Sequence, residues 1–279
     1  MKVYAFQDQY IKVDSINTRY WTAGNKGKTI ILLHSAGGSI EFWLYNIGCL
    51  AKFHRVYAID MVGSGRSDKP SASYSLLYLA QFIKSFMDTL GIKSATLIGH
   101  SLGGGVALKF ALISPEQLEK LVLVGSFGLG REIAMSVRFS SLPFVINSIS
   151  FTKDILKLML KQSCYEVQSI QEEWIELRYP VFSLPNRHKA LVKLAQRNLN
   201  LLGVRSTVFR PILENLKKIK VPSLIIWGKQ DSILPVAHAY VAAQNLPNNC
   251  LNIFDFCGHI PQLEYPEKFN CLVLDFISS

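Results

Sequence analysis

Short, largely apolar runs recur along the chain, and segments with helical periodicity separate them. A continuous apolar run is typical of a strand that is buried on both faces of a sheet. The strands predicted in this way are Thr29–Leu33, Arg55–Ile59, Ala95–Ile98, Leu121–Val124 and Leu224–Trp227. A leading hairpin over Tyr10–Val13 and Thr18–Thr22 and a short strand over Leu251–Phe254 complete the set. Strands that alternate with helices predict an α/β fold with a mostly parallel sheet and right-handed crossovers.

The clearest helical segment runs from Tyr74 to Leu90. Its apolar residues recur at helical spacing, so they fall on one face that a sheet can cover. These residues are Leu76, Leu79, Ile83, Phe86 and Leu90. Gly91 follows as a typical stop signal just past the last helical residue.

The alternation stops after Val124. From about residue 127 to residue 212 the chain reads as amphipathic helices and proline-marked loops. We therefore predict a helical cap (lid) at residues 127–212, inserted after the sixth strand, and a core made of residues 1–126 and 213–279. The apolar face of the predicted cap includes Phe139, Leu142, Phe144, Ile146, Ile149, Phe151, Ile155, Leu156, Leu158, Met159 and Leu160.

The composition is typical of a well-packed globular protein. The length of 279 residues suits one large domain or a core with an insertion, and 49% hydrophobic with 18% charged residues excludes a disordered chain. No run of 18 apolar residues occurs, and the first residues lack the apolar centre of a signal peptide, so we expect a cytoplasmic protein. The five cysteines are odd in number and lack metal-type spacing, which indicates free thiols in a reducing compartment.

The net charge of +10 is concentrated in one part of the chain. Residues 131–220 hold 15 Lys and Arg against 7 Asp and Glu, which accounts for +8. We find no nucleic-acid-binding motif, so no nucleic-acid partner is expected. A solvated basic face is the favoured interpretation. Attraction of an anionic substrate, or a weak contact of the basic cap with an anionic membrane surface, is the alternative.

A G-x-S-x-G pattern at residues 99–103 joins a predicted strand to a helix-like run. A strand that turns sharply into a helix through this pattern is a nucleophile elbow. Glycine is needed two residues either side of the serine because the two backbones come close. Ser101 would then lie at a helix N-terminus, where free N–H groups favour developing negative charge. A glycine-rich turn that binds nothing is the competing interpretation.

A serine hydroxyl needs a base, and the base needs an acidic partner, before it becomes a good nucleophile. In the order Ser, Asp, His that accompanies this type of elbow, the acid and the base lie downstream. Asp231 follows the strand Leu224–Trp227, and His259 follows the strand Leu251–Phe254. Catalytic groups gather at the carboxyl ends of such strands. A surface-turn aspartate and a loop histidine without function are the competing interpretations.

Five segments in a fixed order carry a resemblance to a known family. They are Leu32–Gly38, Asp60–Ser67, the elbow, the Asp231 strand end, and Gly258-His259 followed by Pro261, Glu264, Pro266 and Phe269. With these segments the chain resembles the α/β-hydrolase fold superfamily, of the single-lid serine hydrolase type that includes small esterases and carbon–carbon bond hydrolases. The resemblance implies a mostly parallel eight-stranded sheet flanked by helices, with a helical cap inserted after strand 6. It is weakly specific for substrate.

The resemblance also implies an oxyanion hole. One N–H group comes from Leu102, after the nucleophile, and the other from Ala36, two residues past His34. By the same resemblance His34 braces this loop. The chain departs from the usual pattern at Ser35, where a glycine is common. A positive φ at that position would strain a serine, and its hydroxyl would lie near the substrate pocket.

The cap resembles the lid of these enzymes. The residues expected to face the pocket are Trp174, Arg178, Phe182 and Arg187. In carbon–carbon hydrolases for dienoic acids an arginine of the insert binds the substrate carboxylate, and Arg178 is the candidate. A surface ion pair of Arg178 with Glu173 or Glu176 is the favoured interpretation. Those hydrolases carry a tryptophan after the catalytic histidine, where this chain has Ile260, so ester hydrolysis is favoured.

Together these residues predict a serine hydrolase that cleaves a small hydrophobic or aromatic carboxylic ester through an acyl-enzyme. Ser101 would attack the carbonyl carbon, His259 would transfer the proton, and Asp231 would orient the imidazole, with no metal or organic cofactor required. Three alternatives remain open: a carbon–carbon bond hydrolase of a vinylogous keto acid, a ligand receptor of slow turnover on the same fold, and an acyltransferase that excludes water.

Overall fold

The computed structural model describes residues 6–166, 172–185 and 187–279. The strands are β1 (Gln9–Val13), β2 (Ile16–Ala23), β3 (Thr29–Leu33), β4 (Arg55–Ile59), β5 (Ala95–His100), β6 (Leu118–Val124), β7 (Leu199–Asn200), β8 (Gly203–Val204), β9 (Ser223–Gly228) and β10 (Asn249–Phe254). The α-helices are α1 (Leu44–Leu50), α2 (Leu76–Thr89), α3 (Leu102–Ile113), α4 (Met135–Phe139), α5 (Pro143–Asn147), α6 (Lys153–Ser163), α7 (Glu172–Phe182), α8 (Arg187–Asn198), α9 (Ser206–Leu213), α10 (Ala237–Asn245), α11 (Pro261–Glu264) and α12 (Pro266–Ser278). Short 3-10 helices occur at Ile40–Trp43, Pro115–Gln117 and Leu216–Lys218.

Eight strands form one sheet in the order β1-β2-β4-β3-β5-β6-β9-β10. The pairs β1/β2 and β2/β4 are antiparallel, and every later pair in this order is parallel. Strands β7 and β8 form a separate two-stranded ladder. The predicted α/β fold with a mostly parallel eight-stranded sheet is therefore confirmed. The carboxyl ends of β3, β5, β6 and β9 meet along one edge of this sheet, where the predicted site residues lie.

The sheet is buried on both faces, as the continuous apolar runs predict. Successive side chains of a strand point to opposite faces. On β3, Ile31 and Leu33 pack on the face covered by α2, α3 and α10, whereas Ile30 and Leu32 pack on the face covered by α1 and α12. A strand with helices on both sides needs apolar residues at every position, and that is the pattern of β3.

Helix α2 begins and ends close to the predicted limits. Its first residue is Leu76 rather than Tyr74, because the Ser75 hydroxyl accepts a hydrogen bond from the backbone N–H of Tyr78 at 3.1 Å and so caps the helix. Tyr74 has a φ of +47°, which lies outside the helical region. The helix ends at Thr89, and Gly91 follows with a φ of +65°.

The segment between β6 and β9, residues 125–222, is the insert; it contains α4 to α9 and the β7/β8 ladder. Helix α9 ends at Leu213, one residue past the predicted limit of the cap, and the division into core and cap stays a prediction. None of the helices in the described residues is both long enough and apolar enough to span a membrane.

The predicted apolar face of the insert is only partly buried. The buried members include Ile146, Leu156 and Leu160, whereas Phe139, Phe144, Leu158 and Met159 are exposed. The reason is helical geometry: Leu156 and Leu160 are one turn apart on α6 and face inward, and Leu158 and Met159 lie on other faces of the same helix. The weak contact of the basic cap with an anionic membrane surface stays a prediction.

A buried cluster of charges ties β2 to the loops around the sheet edge. The Arg19 guanidinium contacts the carboxylates of Asp8 at 2.6 Å, Glu41 at 2.8 Å and Asp60 at 3.1 Å. Burial alone would lower the pKa of Arg19, but the charges of Asp60 and Glu41 raise it above the ordinary value. Because Asp60 follows β4 and Glu41 lies in the Ile40–Trp43 helix, this cluster fixes the segments beside the elbow.

We predict that Asp60→Ala lowers the free energy of unfolding by about 2–5 kcal/mol, since it removes one of the three carboxylates that contact the buried Arg19 guanidinium. The substitution also removes the acceptor of two backbone N–H groups, those of Ile40 and Arg66, each at 2.8 Å. Urea unfolding of the purified variant measures the change.

The matched control is Asp88→Ala, which breaks the exposed Lys84–Asp88 ion pair of 2.6 Å. An exposed pair contributes about 0–1 kcal/mol, so this variant should unfold close to the wild type. Equal losses in the two variants would contradict a structural role for the buried cluster.

Candidate active site

Ser101 occupies a sharp turn between a strand and a helix. Strand β5 ends at His100, and α3 begins at Leu102. Ser101 has a φ of +54° and a ψ of −117°, a left-handed conformation that costs energy in any residue other than glycine. Its backbone N–H donates to the carbonyl of Val124 at 2.9 Å, and its carbonyl accepts from the N–H of Phe127 at 2.9 Å. This is the backbone geometry that a nucleophile elbow requires.

The glycines of the elbow are explained by close backbone contacts. A Cβ atom on Gly99 would lie 2.3 Å from the carbonyl oxygen of Gly103. A Cβ atom on Gly103 would lie 2.3 Å from the carbonyl oxygen of Leu33, at the end of β3. Any side chain at either position would force the strand and the helix apart, and Ser101 would leave its position at the edge of the sheet.

The structure brings Asp231 and His259 together. The distance from His259 Nδ1 to Asp231 Oδ2 is 2.8 Å. The Asp231 side chain has no exposed surface, and its Oδ1 accepts hydrogen bonds from the backbone N–H groups of Ile233 at 2.8 Å and Leu234 at 2.9 Å. A carboxylate held in this way accepts the Nδ1 proton of the imidazole, which leaves Nε2 of His259 as the atom that can take a proton.

His259 lies beside the elbow, although within the described residues no hydrogen bond joins its ring to the Ser101 hydroxyl. The backbone carbonyl of His259 accepts a hydrogen bond from Nε2 of His100 at 2.8 Å, and the centres of the two rings are 4.8 Å apart. Hydrogen bonds between catalytic groups are often long in an unliganded site and shorten when substrate binds. Burial, and then the charge of His259, lowers the pKa of His100 well below its ordinary value.

The backbone on either side of His259 is held by Glu264. This buried carboxylate accepts hydrogen bonds from the N–H groups of Gly258 at 3.0 Å, Ile260 at 3.2 Å and Tyr165 at 2.7 Å. The N–H of His259 itself bonds the carbonyl of the last residue of α6 at 2.6 Å. Glu264 belongs to the motif that carries the resemblance, which implied no role for it; its signal in the sequence is a carboxylate five residues after the candidate histidine.

His34 holds the loop that follows β3. Its Nδ1 lies 2.7 Å from the carbonyl of Ser35, and its Nε2 lies 3.1 Å from the backbone nitrogen of Met61. A neutral imidazole that donates from Nδ1 and accepts at Nε2 satisfies both contacts. Burial lowers the pKa of His34 to about 4, which keeps the ring neutral. This is the bracing contact that the resemblance implied.

The loop after His34 forms a tight turn closed by a hydrogen bond from the N–H of Gly38 to the carbonyl of Ser35 at 3.0 Å. The left-handed φ falls on Gly37, at +60°, as the third position of a type II turn requires. Among the described residues other than glycine, positive φ occurs at Asp14, Ser15, Tyr74, Ser101 and Phe256. The strain expected at Ser35 is therefore absent, because Gly37, two residues later, takes the special conformation.

Two backbone N–H groups are predicted to form the oxyanion hole. Within the described residues, neither the N–H of Ala36 nor that of Leu102 donates a hydrogen bond. Leu102 is the first residue of α3, where N–H groups have no acceptor in their own helix. Ala36 is exposed and Ser101 is half-buried, so solvent or substrate can reach this side of the turn.

Trp174 is fully buried and is used in packing. Its Nε1–H donates to the carbonyl of Glu41 at 2.9 Å, and its ring packs edge-on against Phe42 at 5.5 Å. These contacts join α7 to the Ile40–Trp43 helix, and a contact of Trp174 with substrate stays a prediction. Ile260 is also buried, directly after His259.

The expected surface ion pair of Arg178 is wrong. Arg178 is only 2% exposed, and its Nη2 donates to the carbonyl of Gly37 at 2.9 Å. Glu176 instead pairs with Lys153 at 2.6 Å. The physical reason is helical periodicity, since Arg178 lies one turn after Trp174, on the inward face of α7, and the glutamates lie on the outer face.

Comparison with known proteins places the chain in a family. Residues 28–143 match the family model described as the alpha/beta hydrolase fold. The chain is 31% identical to the 2-hydroxy-6-oxo-6-(2'-aminophenyl)hexa-2,4-dienoic acid hydrolase of Metapseudomonas resinovorans, over 98% of this chain and 92% of the relative. The chain belongs to the α/β-hydrolase fold family.

Solved structures of other α/β-hydrolases superpose on this one over nearly its whole length. A meta-cleavage product hydrolase from Pseudomonas fluorescens IP01 matches with a TM-score of 0.83 at 27% identity, and 97% of each chain is covered. A serine hydrolase involved in carbazole degradation matches with a TM-score of 0.79 at 26% identity, over 98% of this chain and 99% of the other. These similarities identify the protein as an enzyme of the α/β-hydrolase family.

We predict that acid destabilises this hydrolase through His34. A histidine in the unfolded chain has a pKa of about 6.5, so at lower pH the unfolded state binds a proton that the folded state excludes. The stability that His34 contributes is present above that pH and is lost as the pH falls towards 4, the value that burial gives its pKa. Between about pH 7.5 and about pH 5 the loss from this residue is about 2 kcal/mol.

Urea unfolding at the two pH values measures this loss. In His34→Gln the drop between them should be smaller by about 2 kcal/mol, because glutamine does not titrate. The same drop in the wild type and the variant would show that His34 does not control the acid response.

Proposed function

We propose that the protein is a serine hydrolase that cleaves small hydrophobic or aromatic carboxylic esters through an acyl-enzyme. One observation carries the proposal. Ser101 is held in a left-handed turn between β5 and α3, beside His259, whose Nδ1 is bonded to the buried carboxylate of Asp231 at 2.8 Å. A serine on an elbow, an oriented imidazole and a buried carboxylate are the three parts of a hydrolytic triad.

In the proposed reaction, the Ser101 oxygen attacks the carbonyl carbon of the ester while its proton moves to Nε2 of His259. Asp231 keeps the imidazole in the correct tautomer and stabilises the imidazolium. The unpaired N–H groups of Ala36 and Leu102 bind the developing oxyanion, and one such donor is worth about 10²–10³ in rate. His259 then gives the proton to the leaving alcohol, and water repeats the sequence to release the acid.

An apolar cavity beside Leu102 supports a hydrophobic substrate. It lies between the core and α8 of the insert, and its empty space, with the opening to solvent, is about 260 Å³. Its lining includes Met61, Val62, Tyr74, Leu79, Leu102 and Leu194. Apolar walls with a few polar groups at one end are typical of small-molecule sites. The proposed role of the insert is to close this cavity as a cap.

We predict that a fluorophosphonate labels the protein once, on Ser101, and that Ser101→Ala abolishes the adduct. In His259→Ala the labelling rate should fall by about 10³-fold or more, because the serine loses its base. Mass spectrometry of the digested protein locates and quantifies the adduct.

His54→Ala is the matched control. His54 is buried directly before β4, at the end of the sheet opposite the elbow, so its removal leaves the labelling rate close to that of the wild type. Labelling of another serine, or equal rates in the two histidine variants, would refute the assigned nucleophile and base.

A second candidate is hydrolysis of a carbon–carbon bond in a vinylogous keto acid. The observation that favours it is Arg178, which is buried beside the Gly37 turn and, within the described residues, has no acceptor for Nε or Nη1. Such a guanidinium can bind a substrate carboxylate through two hydrogen bonds. The relative from Metapseudomonas resinovorans is named for a dienoic acid substrate. Ile260, where such enzymes carry a tryptophan, weighs against this candidate.

Turnover of a p-nitrophenyl ester and of a dienoate substrate separates the two candidates. The ester proposal predicts a higher kcat/KM for the ester. Carbon–carbon cleavage predicts a higher kcat/KM for the dienoate, and Arg178→Gln should lower it by about 10- to 150-fold through the loss of a charge-assisted contact. If neither substrate is turned over but a ligand raises Tm, the result would favour a ligand receptor over both proposed hydrolase activities.

A further inference from the structure

A second cavity lies between the core and the insert, and none of Ser101, Asp231 and His259 lines it. Its empty space, with the opening to solvent, is about 230 Å³. The lining consists of Gly37–Gly38, Gly63–Gly65, Lys69, Val181, Arg187 and Leu191. Two of these side chains are cations, and among the described residues no carboxylate lines the cavity. The cavity therefore carries positive charge, which attracts a negatively charged group.

Arg187 is a buried cation that has no acidic partner in the part of the chain that the structure describes. It is 7% exposed, and its guanidinium donates to the carbonyls of Gly37, at 2.8 Å, and Phe182. Within the described residues its Nε has no acceptor and no carboxylate forms an ion pair with it. The rings of Phe151 and Phe182 lie 4.3 Å and 4.7 Å from the guanidinium. A buried charge in this state is costly until an anion pairs with it.

A second positive charge close to Arg187 adds to the cost of burying its guanidinium. Burial, and then repulsion from the nearby charge of Arg178, lowers the pKa of Arg187 to about 9. An arginine nevertheless stays protonated in proteins, and the repulsion is relieved by a bound anion rather than by loss of a proton.

Lys69 supplies the second cation. Its Nζ donates to the carbonyls of Gly65 at 2.8 Å and Ser67 at 2.9 Å, which leaves one of its three N–H donors without an acceptor in the described residues. Asp60 lies behind Gly65, but its carboxylate is bonded to Arg19 and to two backbone N–H groups. The nearest buried carboxylate is thus already occupied, and Lys69 remains available to a ligand.

We propose that this cavity is a binding site for a small oxyanion, a carboxylate or a phosphate group, held by Arg187 and Lys69. An arginine fork and a lysine are the side chains that bind such groups most strongly. Arg187 also donates a hydrogen bond to the carbonyl of Gly37. An anion at this site would therefore contact the side chain that holds the tight turn Ser35–Gly38, which contains Ala36. The anion is either part of a substrate or a free ion, and both sources share this chemistry.

Thermal unfolding in sodium phosphate and in sodium acetate, each against sodium chloride at matched ionic strength, tests the site without any assay of activity. The wild type should show a saturable rise in Tm with at least one of the two anions beyond that in chloride. The apparent affinity should weaken by about 10- to 100-fold in both Arg187→Gln and Lys69→Gln. If Arg187→Gln does not fold, Lys69→Gln alone decides.

Lys189→Gln is the matched control, since it removes the same charge from an exposed position two residues further along α8. It should keep the wild-type response. No saturable rise in the wild type, or an equal loss in Lys189→Gln, would overturn the proposal, because the effect would then be absent or a general effect of net charge.

Competition with substrates identifies the source of the anion. If phosphate raises the KM of an ester that carries a terminal carboxylate but not that of a neutral ester, the site binds the substrate's own anionic group. If phosphate binds and neither KM changes, the ligand is a free ion. This second experiment rests on the proposed esterase activity, whereas the Tm measurement does not, so failure of one proposal is distinguishable from failure of the other.

Discussion

The close approach of β5 and α3 at Ser101 is the constraint on which the rest of the site depends. The serine keeps a left-handed backbone only because Gly99 and Gly103 let strand and helix backbones touch, at positions where a Cβ atom would lie 2.3 Å from a carbonyl oxygen. The cost of this conformation is offset by the surrounding sheet, which bonds the Ser101 N–H to β6. The result is a hydroxyl presented at the edge where the parallel strands end.

Charges near this edge fall into two groups with opposite consequences. Around Arg19 every buried charge has a partner, and the cluster joins β2, the loop after β4 and the Ile40–Trp43 helix into a rigid frame. Arg178 and Arg187 of the insert instead bond only carbonyl oxygens among the described residues, and both meet at Gly37. The carboxylates of the frame balance the charge of Arg19, whereas among the described residues the guanidiniums of the insert have no carboxylate partner.

Local patterns predicted the sheet well because each signal acts over a few residues. A run such as β3 must be apolar at every position when helices cover both faces, and the elbow glycines are required by contacts within one turn. The backbone conformation of Ser35 was harder to predict, because its neighbours decide which residue of the turn takes a positive φ. In this turn Gly37 takes it. The buried face of the insert was harder still to predict. Its short helices bury only a narrow stripe of apolar side chains, and Phe144 remains 67% exposed.

The sequence by itself determined the order of strands and helices, the glycine-bounded serine turn and the candidates Asp231 and His259, since these depend on periodicity and on backbone sterics. Only the tertiary structure decided that Asp231 and His259 are in contact, that Glu264 holds the backbone around His259, and that Arg178 and Arg187 both donate to the carbonyl of Gly37. Those facts depend on which helix faces the core and on pairs of residues far apart in the chain. No local pattern specifies them, because the free energy that orients a side chain comes from neighbours that folding alone brings close.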